Sequence, residues 1–300
     1  MYVIEETTEN DYSLLVLKNT NNNSVAQISL EEGGRLQKLM LNNINLISNQ
    51  SNFEYKDSFA SAILFPFANR IEKGKYTFNE KKFQFNCNEN GRKNAIHGLI
   101  YNKKFSLFEK KISSNSCAVT VCYSEKNESA GFPYKYSFYL TYILSKENIE
   151  LKVTVKNEDS KAFPFTLGWH PYFMSDDLNK SSLNFKSDKK VAFNESLITK
   201  KIENFKSEEI IIKNKQLDDC YILNSEKVAF HTPNYQIEIS TNQIENYLQL
   251  YTPKGLSIIA IEPMTGISNS FNNKIGLQVL ESNKTFSLSW NVKLMKKETY

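Results

Sequence analysis

His170 stands in FPFTLGWHPYF, residues 163–173, one imidazole among five aromatic rings and two prolines. Imidazole changes charge near neutral pH, so a histidine in such surroundings is either a satisfied structural residue or a proton carrier. An aromatic, partly desolvating pocket favours the neutral ring, whereas a nearby carboxylate favours the cation, and together they would poise the proton for use. His97, in KNAIHGLIYNKKF, carries the same two readings, and Gly98 directly after it would let backbone or ligand come close. His231, in VAFHTPNY, lacks such framing and reads as structural or solvated.

Glu262 closes the apolar run SIIAIE and is followed by Pro263. A carboxylate there must reach the sheet rim or join a network, because burial without partners is costly. Pro263, Gly266 and the Asn-rich loop behind them point to the rim. Asp218 and Asp219, in QLDDCYIL, read as turn-solvating acids or as ligand contacts. Arg70 follows the apolar run FPFAN. Its planar fork of donors suits a polyhydroxylated partner or a structural ion pair. Only three of the 37 basic residues are arginine (Arg35, Arg70 and Arg92), so each marks a place that needs a guanidinium. Gln249, in LQLYTPKG, is an amide in a strand-like segment and needs its donors satisfied if it is buried.

Other chemistries lack their residues. The chain has no Gly-rich phosphate loop, no GxSxG and no HExxH. Two histidines and a carboxylate could hold a metal, and nothing local separates that option from acid–base work.

The elements that must position these groups read as strands. Residues 105–112, 117–124, 136–145, 149–157, 235–241, 256–262 and 285–295 are rich in β-branched and aromatic residues, and several alternate with period two, as in Leu151, Val153 and Val155. Turns such as KNED and SKEN separate them, and sustained helical periodicity is scarce. An all-β, many-stranded fold follows, most simply one continuous sandwich. Without a linker, a fixed-period repeat or a compositional break, residues 1–300 read as a single domain, with long loops expected in the polar stretch 174–216.

Composition agrees with a folded, aromatic-rich chain: 40% apolar, 13% aromatic and 23% charged residues exclude disordered and collagen-like classes. The net charge of +4 is small and the lysines are dispersed, which argues against nucleic acid. Cys87, Cys117, Cys122 and Cys220 form no CxxC pair and read as reduced structural thiols. An acidic N-terminus unlike a signal peptide, and no run of membrane-crossing length, predict a cytoplasmic protein without a membrane partner.

Taken in order, GGRLQKL, FPFANRI, NAIHGLIYNKKF, LGWHPYF, QLDDCYIL, LQLYTP and IAIEPMTGISNSFNN resemble the signature of the aldose 1-epimerase, or galactose mutarotase, family across nearly the whole chain. The resemblance implies a large antiparallel β-sandwich, the galactose mutarotase-like supersandwich, with a sugar cleft on one sheet face. It implies Glu262 as catalytic base, His170 as catalytic acid and His97 as a second histidine near the sugar ring oxygen. Asn69, Arg70, Gln249 and Asp218 become hydroxyl-binding residues, with Asp219 the alternative to Asp218, and Tyr172 and Phe271 are available to stack on the sugar. The implied partner is a small aldose such as galactose or glucose, the implied reaction needs no metal or redox cofactor, and the chain would be a monomer or homodimer. A hexose-phosphate 1-epimerase and a non-catalytic carbohydrate-binding protein are the alternatives on the same fold.

Overall fold

A computed structural model of the protein describes residues 1–50 and 53–296. All seven anticipated strands form, as Ser106–Ile112, Ser116–Glu125, Tyr136–Ser145, Asn148–Asn157, Gln236–Thr241, Ile258–Met264 and Thr285–Met295. The first four form an antiparallel meander. Thr285–Met295 then lies between Asn148–Asn157 and Gln236–Thr241, so the C-terminal strand joins the two halves of one large sheet. Beyond it come Asp218–His231, Tyr247–Tyr251 and Ile258–Met264, all antiparallel. Helix is limited to short turns such as Tyr55–Ser58 and Ser270–Asn273, and no helix among the described residues is long and apolar enough to cross a membrane.

The N-terminal segment folds into a second antiparallel sheet, Tyr2–Glu9, Tyr12–Asn19, Ser24–Ser29, Leu36–Leu41 and Ile44–Ile47, paired in chain order. Its apolar face joins the meander in one core that includes Leu15, Leu39, Val121, Phe138 and Trp290. Burial in Asn148–Asn157 alternates along the strand, which is how period-two apolar spacing turns one face inward.

The polar stretch 174–216 departs from the loops expected of it. It contains the 12-residue strand Ser182–Phe193, which pairs with Asp218–His231 on one side and with Thr199–Asn204 and Ile210–Ile211 on the other. Leu183, Phe185 and Val191 face the core, and lysine and other polar residues on the opposite face conceal the alternation. The four cysteines are free thiols.

Candidate active site

Strand register builds the floor of the site. Gln249 lies directly across from Glu262, and Cys220 directly across from Gln249, so these three side chains share a face. Asp218, two residues before Cys220, is on that face as well, whereas Asp219 is on the other, where it pairs with Lys190 at 2.7 Å. The doubled acid is thus resolved by register, with Asp218 in the cleft. Glu262 departs from the expected rim position: it lies inside Ile258–Met264 and is 2% exposed.

His170 is presented by a break in the sheet. Gly168–Trp169 pairs with the strand at Met264, and Tyr172–Met174 pairs with it at Ala260, Ile259 and Ile258. Between them His170 and Pro171 leave the ladder opposite Ile261–Pro263. Neither Pro171 nor Pro263 has an N–H for regular pairing, so the two prolines interrupt the ladder there. The backbone N–H of His170 donates to the Ala62 carbonyl (3.0 Å), and its own carbonyl accepts from Ser61 (2.7 Å). The ring is stacked on Tyr172, and its Nε2 stands 3.5 Å from Oε1 of Glu262.

Asn69, Arg70 and His97 form the opposite wall. Arg70–Ile71 and Ala95–Ile96 pair as a two-stranded ladder, and His97 N donates to Asn69 O at 2.9 Å. Asn69 and His97 both have left-handed backbone conformations, an uncommon state outside glycine that fixes where each side chain projects. Gly98 is also left-handed, and a Cβ there would lie 2.2 Å from the Phe65 carbonyl oxygen, so glycine alone fits beneath the His97 turn. The Asn-rich loop serves this wall. Asn269 N donates to Arg70 O (2.6 Å), and its side-chain oxygen accepts from Glu72 N (3.1 Å).

Side-chain bonds join floor to wall. Asn69 Nδ2 donates to Gln249 Oε1 (3.1 Å), and Gln249 Nε2 donates to Asp218 Oδ1 (2.8 Å). Arg70 Nη1 donates to Asn69 Oδ1 (3.3 Å), and its Nε donates to Glu89 Oε1 (2.9 Å). Asn69, Arg70, His97, His170, Asp218, Gln249 and Glu262 all line one cavity of about 400 Å³.

This arrangement can be set against known proteins. The aldose 1-epimerase family model matches residues 13–293. The chain belongs to the aldose 1-epimerase family. Its relatives include YihR, an uncharacterized protein of Escherichia coli K12, 24% identical over 284 residues that span 87% of each chain. A galactose mutarotase-like protein of Clostridium acetobutylicum shares the fold, with a TM-score of 0.89 at 20% identity over 98% of this chain and 99% of that one. A galactose 1-epimerase of Lactobacillus acidophilus superposes with a TM-score of 0.80 at 17% identity over 98% of both chains.

The electrostatics of this aldose 1-epimerase family cleft are governed by burial. It pushes the His170 imidazole down to about 3, with the Arg70 charge adding to the push. Burial likewise holds His97 well below its ordinary value, helped by His170 and Arg70. It also raises the Glu262 carboxyl well above the carboxylate range, with the Asp218 charge acting in the same sense and Arg70 against it. Burial raises Asp218 too, against the pull of Arg70. Desolvation therefore outweighs the carboxylate that was expected to poise His170 near neutrality. Burial thus disfavours charge on both members of the pair, opposing protonation of the His170 imidazole and ionisation of the Glu262 carboxyl. Nδ1 of His97, Nδ1 of His170 and Oε2 of Glu262 are buried without a protein hydrogen-bond partner. Such atoms are uncommon in folded proteins, and these three belong to residues that line the cavity.

The aromatic candidates divide. Tyr172 lines the cavity, whereas Phe271 is 1% exposed and packs on Tyr76 and Phe67 in the core, away from any sugar. Phe53, Phe59, Tyr251 and Glu89 line the cavity unanticipated, and Arg92 lines it too. The scarcity of arginine pointed towards Arg92, whereas Glu89 sits in a polar turn, ENGRKN, with no local signal. Arg35 is structural: it pairs with Glu32 at 2.7 Å and lies over the Tyr55 ring. Among the described residues no group of three or more His, Cys, Asp or Glu is placed to hold a metal ion.

Proposed function

We propose that the protein is a mutarotase, interconverting the α and β anomers of a hexose such as galactose or glucose. The observation that carries this reading is the buried His170–Glu262 pair, 3.5 Å apart, in one cavity with the polar side chains of Asn69, Arg70, Asp218 and Gln249. Anomer exchange needs a proton taken from the anomeric hydroxyl and a proton given to the ring oxygen, so that the bond between C1 and the ring oxygen breaks. Glu262 as carboxylate takes the first, and protonated His170 gives the second. Rotation about C1–C2 turns the other face of the aldehyde to the hydroxyl, and closure returns both protons.

The shifts of the pair fit this cycle. Ring opening converts carboxylate and imidazolium into carboxylic acid and imidazole, which is the form burial favours in the free cleft. The reactive form, carboxylate and imidazolium 3.5 Å apart, is therefore the one that the bound cyclic sugar must stabilise against burial. Hydroxyls bonded to Asp218, Gln249 and Arg70 hold the open-chain aldehyde in place until it closes. His97, neutral by burial, supplies a hydrogen bond beside the ring oxygen.

The test is the optical rotation of freshly dissolved α-D-glucose and α-D-galactose, with spontaneous mutarotation subtracted. Faster decay to an unchanged final rotation is expected. No acceleration for either sugar, with binding still measurable by calorimetry, would replace this reading with a carbohydrate-binding one.

A further inference from the structure

Glu89 sits on the cavity wall with its side chain 9% exposed, and it takes three donors. Arg70 Nε and Arg92 Nη1 both donate to Oε1, at 2.9 and 3.3 Å, and Asn94 Nδ2 donates to Oε2 at 2.9 Å. The turn that carries it is closed on itself. Glu89 N donates to Asn94 O, and Lys93 N donates to Glu89 O. Asn94 is fixed in turn, donating to the Ser196 carbonyl and accepting from Lys73 N. One carboxylate thus sits against the two guanidinium groups that face the cleft, and Asp218 supplies a second negative charge nearby.

We infer that Glu89 sets the charge of the sugar this cleft accepts, by cancelling Arg70 and Arg92 so that neutral aldoses bind and anionic ones, such as hexose 6-phosphates, are rejected. The inference rests on the mutarotase reading of the same site. Arg70 and Arg92 are the groups that would otherwise receive a phosphate, since a guanidinium binds phosphate through paired charged hydrogen bonds. With both held on Glu89, a phosphate must displace that carboxylate or share its donors, at the cost of repulsion in a partly desolvated site. A neutral hydroxyl meets no such penalty and can use the guanidinium donors that remain. Glu89 is a positioning residue: it acts on the sugar through Arg70.

The experiment compares wild type with Glu89→Gln, measuring by calorimetry the Kd of galactose and of galactose 6-phosphate, alongside mutarotation of galactose. Wild type is expected to bind galactose more tightly than its 6-phosphate. Glu89→Gln should shift the ratio of the two affinities towards the phosphate by about tenfold or more, as removal of one nearby charge requires. Adding Arg92→Gln to Glu89→Gln should reverse much of that gain. A purely structural role for Glu89 would weaken both ligands together and leave the ratio fixed, which overturns the inference. So does a wild type that already prefers the 6-phosphate. If Glu89→Gln does not fold by thermal melt, Arg92→Gln alone decides: a further loss of 6-phosphate affinity relative to galactose supports the charge balance, and an unchanged ratio overturns it. Failure of the mutarotase reading shows separately, as wild type that binds galactose without speeding its mutarotation.

Discussion

Gln249 stands directly across the antiparallel ladder from Glu262, and its amide spans the site, accepting from Asn69 and donating to Asp218. The register that places Glu262 therefore also places the group that ties wall to floor. Replacing Gln249 with alanine is expected to raise KM for the sugar about tenfold or more while lowering kcat less, because the amide orients hydroxyls and moves no proton. The substitution also leaves Asn69 and Asp218 without their shared partner, at a cost of about 1–3 kcal/mol in stability. Steady-state kinetics by polarimetry and a urea melt read the two effects separately.

His170→Asn and Glu262→Gln should each lower turnover by roughly 10²–10⁴-fold with the fold preserved, the usual scale for removing a general acid or base. Circular dichroism establishes the fold and polarimetry the rate. Near-wild-type turnover in either variant would remove the proton-transfer roles assigned here.

Much of this site was legible in the sequence because its parts sit beside strong local signals. Pro171 beside His170, Pro263 beside Glu262 and Gly98 beside His97 mark breaks and close approaches, and those breaks are what turn the side chains into the cleft. The Asn-rich loop was legible as a loop, but its role in holding the Arg70 backbone depends on chain segments about 200 residues apart. Glu89 was invisible for the same reason, since its meaning comes from Arg70 across the cavity wall. The strand Ser182–Phe193 was hidden by lysines on its polar face, and the depth of Glu262 by the neighbouring strands that cover it. Burial in turn overrode the expected poise of His170, because desolvation depends on three-dimensional packing.

Asp218 and Asp219 give a direct test of register. Asp218→Asn should weaken sugar binding, since Asp218 is on the cleft face and bonded to Gln249. Asp219→Asn should leave KM unchanged and cost no more than about 1 kcal/mol, since it loses only a partly exposed ion pair with Lys190. The reverse pattern in KM would show that the strand lies one residue out of register.

Gly98→Ala should destabilise the protein by more than about 1 kcal/mol, because the new Cβ meets the Phe65 carbonyl at a left-handed backbone position. The displaced turn carries His97, so KM should rise along with the loss of thermal stability. A variant with wild-type melting and wild-type KM would contradict this packing.

The opposed shifts of His170 and Glu262 make a distinctive prediction for stability against pH. In the unfolded chain His170 and Glu262 titrate near their ordinary values of 6.5 and 4.5, so between these pH values the separated groups carry one proton in total. Above 4.5 native Glu262 keeps a proton that its unfolded counterpart has lost, which offsets the proton gained by unfolded His170, so the acid-side loss from His170 is held back as far up as the raised Glu262 value. Below 4.5 the unfolded chain binds a second proton that native His170 resists until about 3, so stability falls as the pH drops through that window. Glu262's own contribution falls as the pH rises from 4.5 towards its raised value, because the native carboxyl keeps a proton that the unfolded one has released. Glu262→Gln leaves His170 without that offset, and its acid-side loss should then begin at 6.5, at higher pH than in wild type. Urea melts from pH 3 to 9 on wild type and this variant measure the shift, and coincident acid limbs would show that burial does not raise the Glu262 carboxyl.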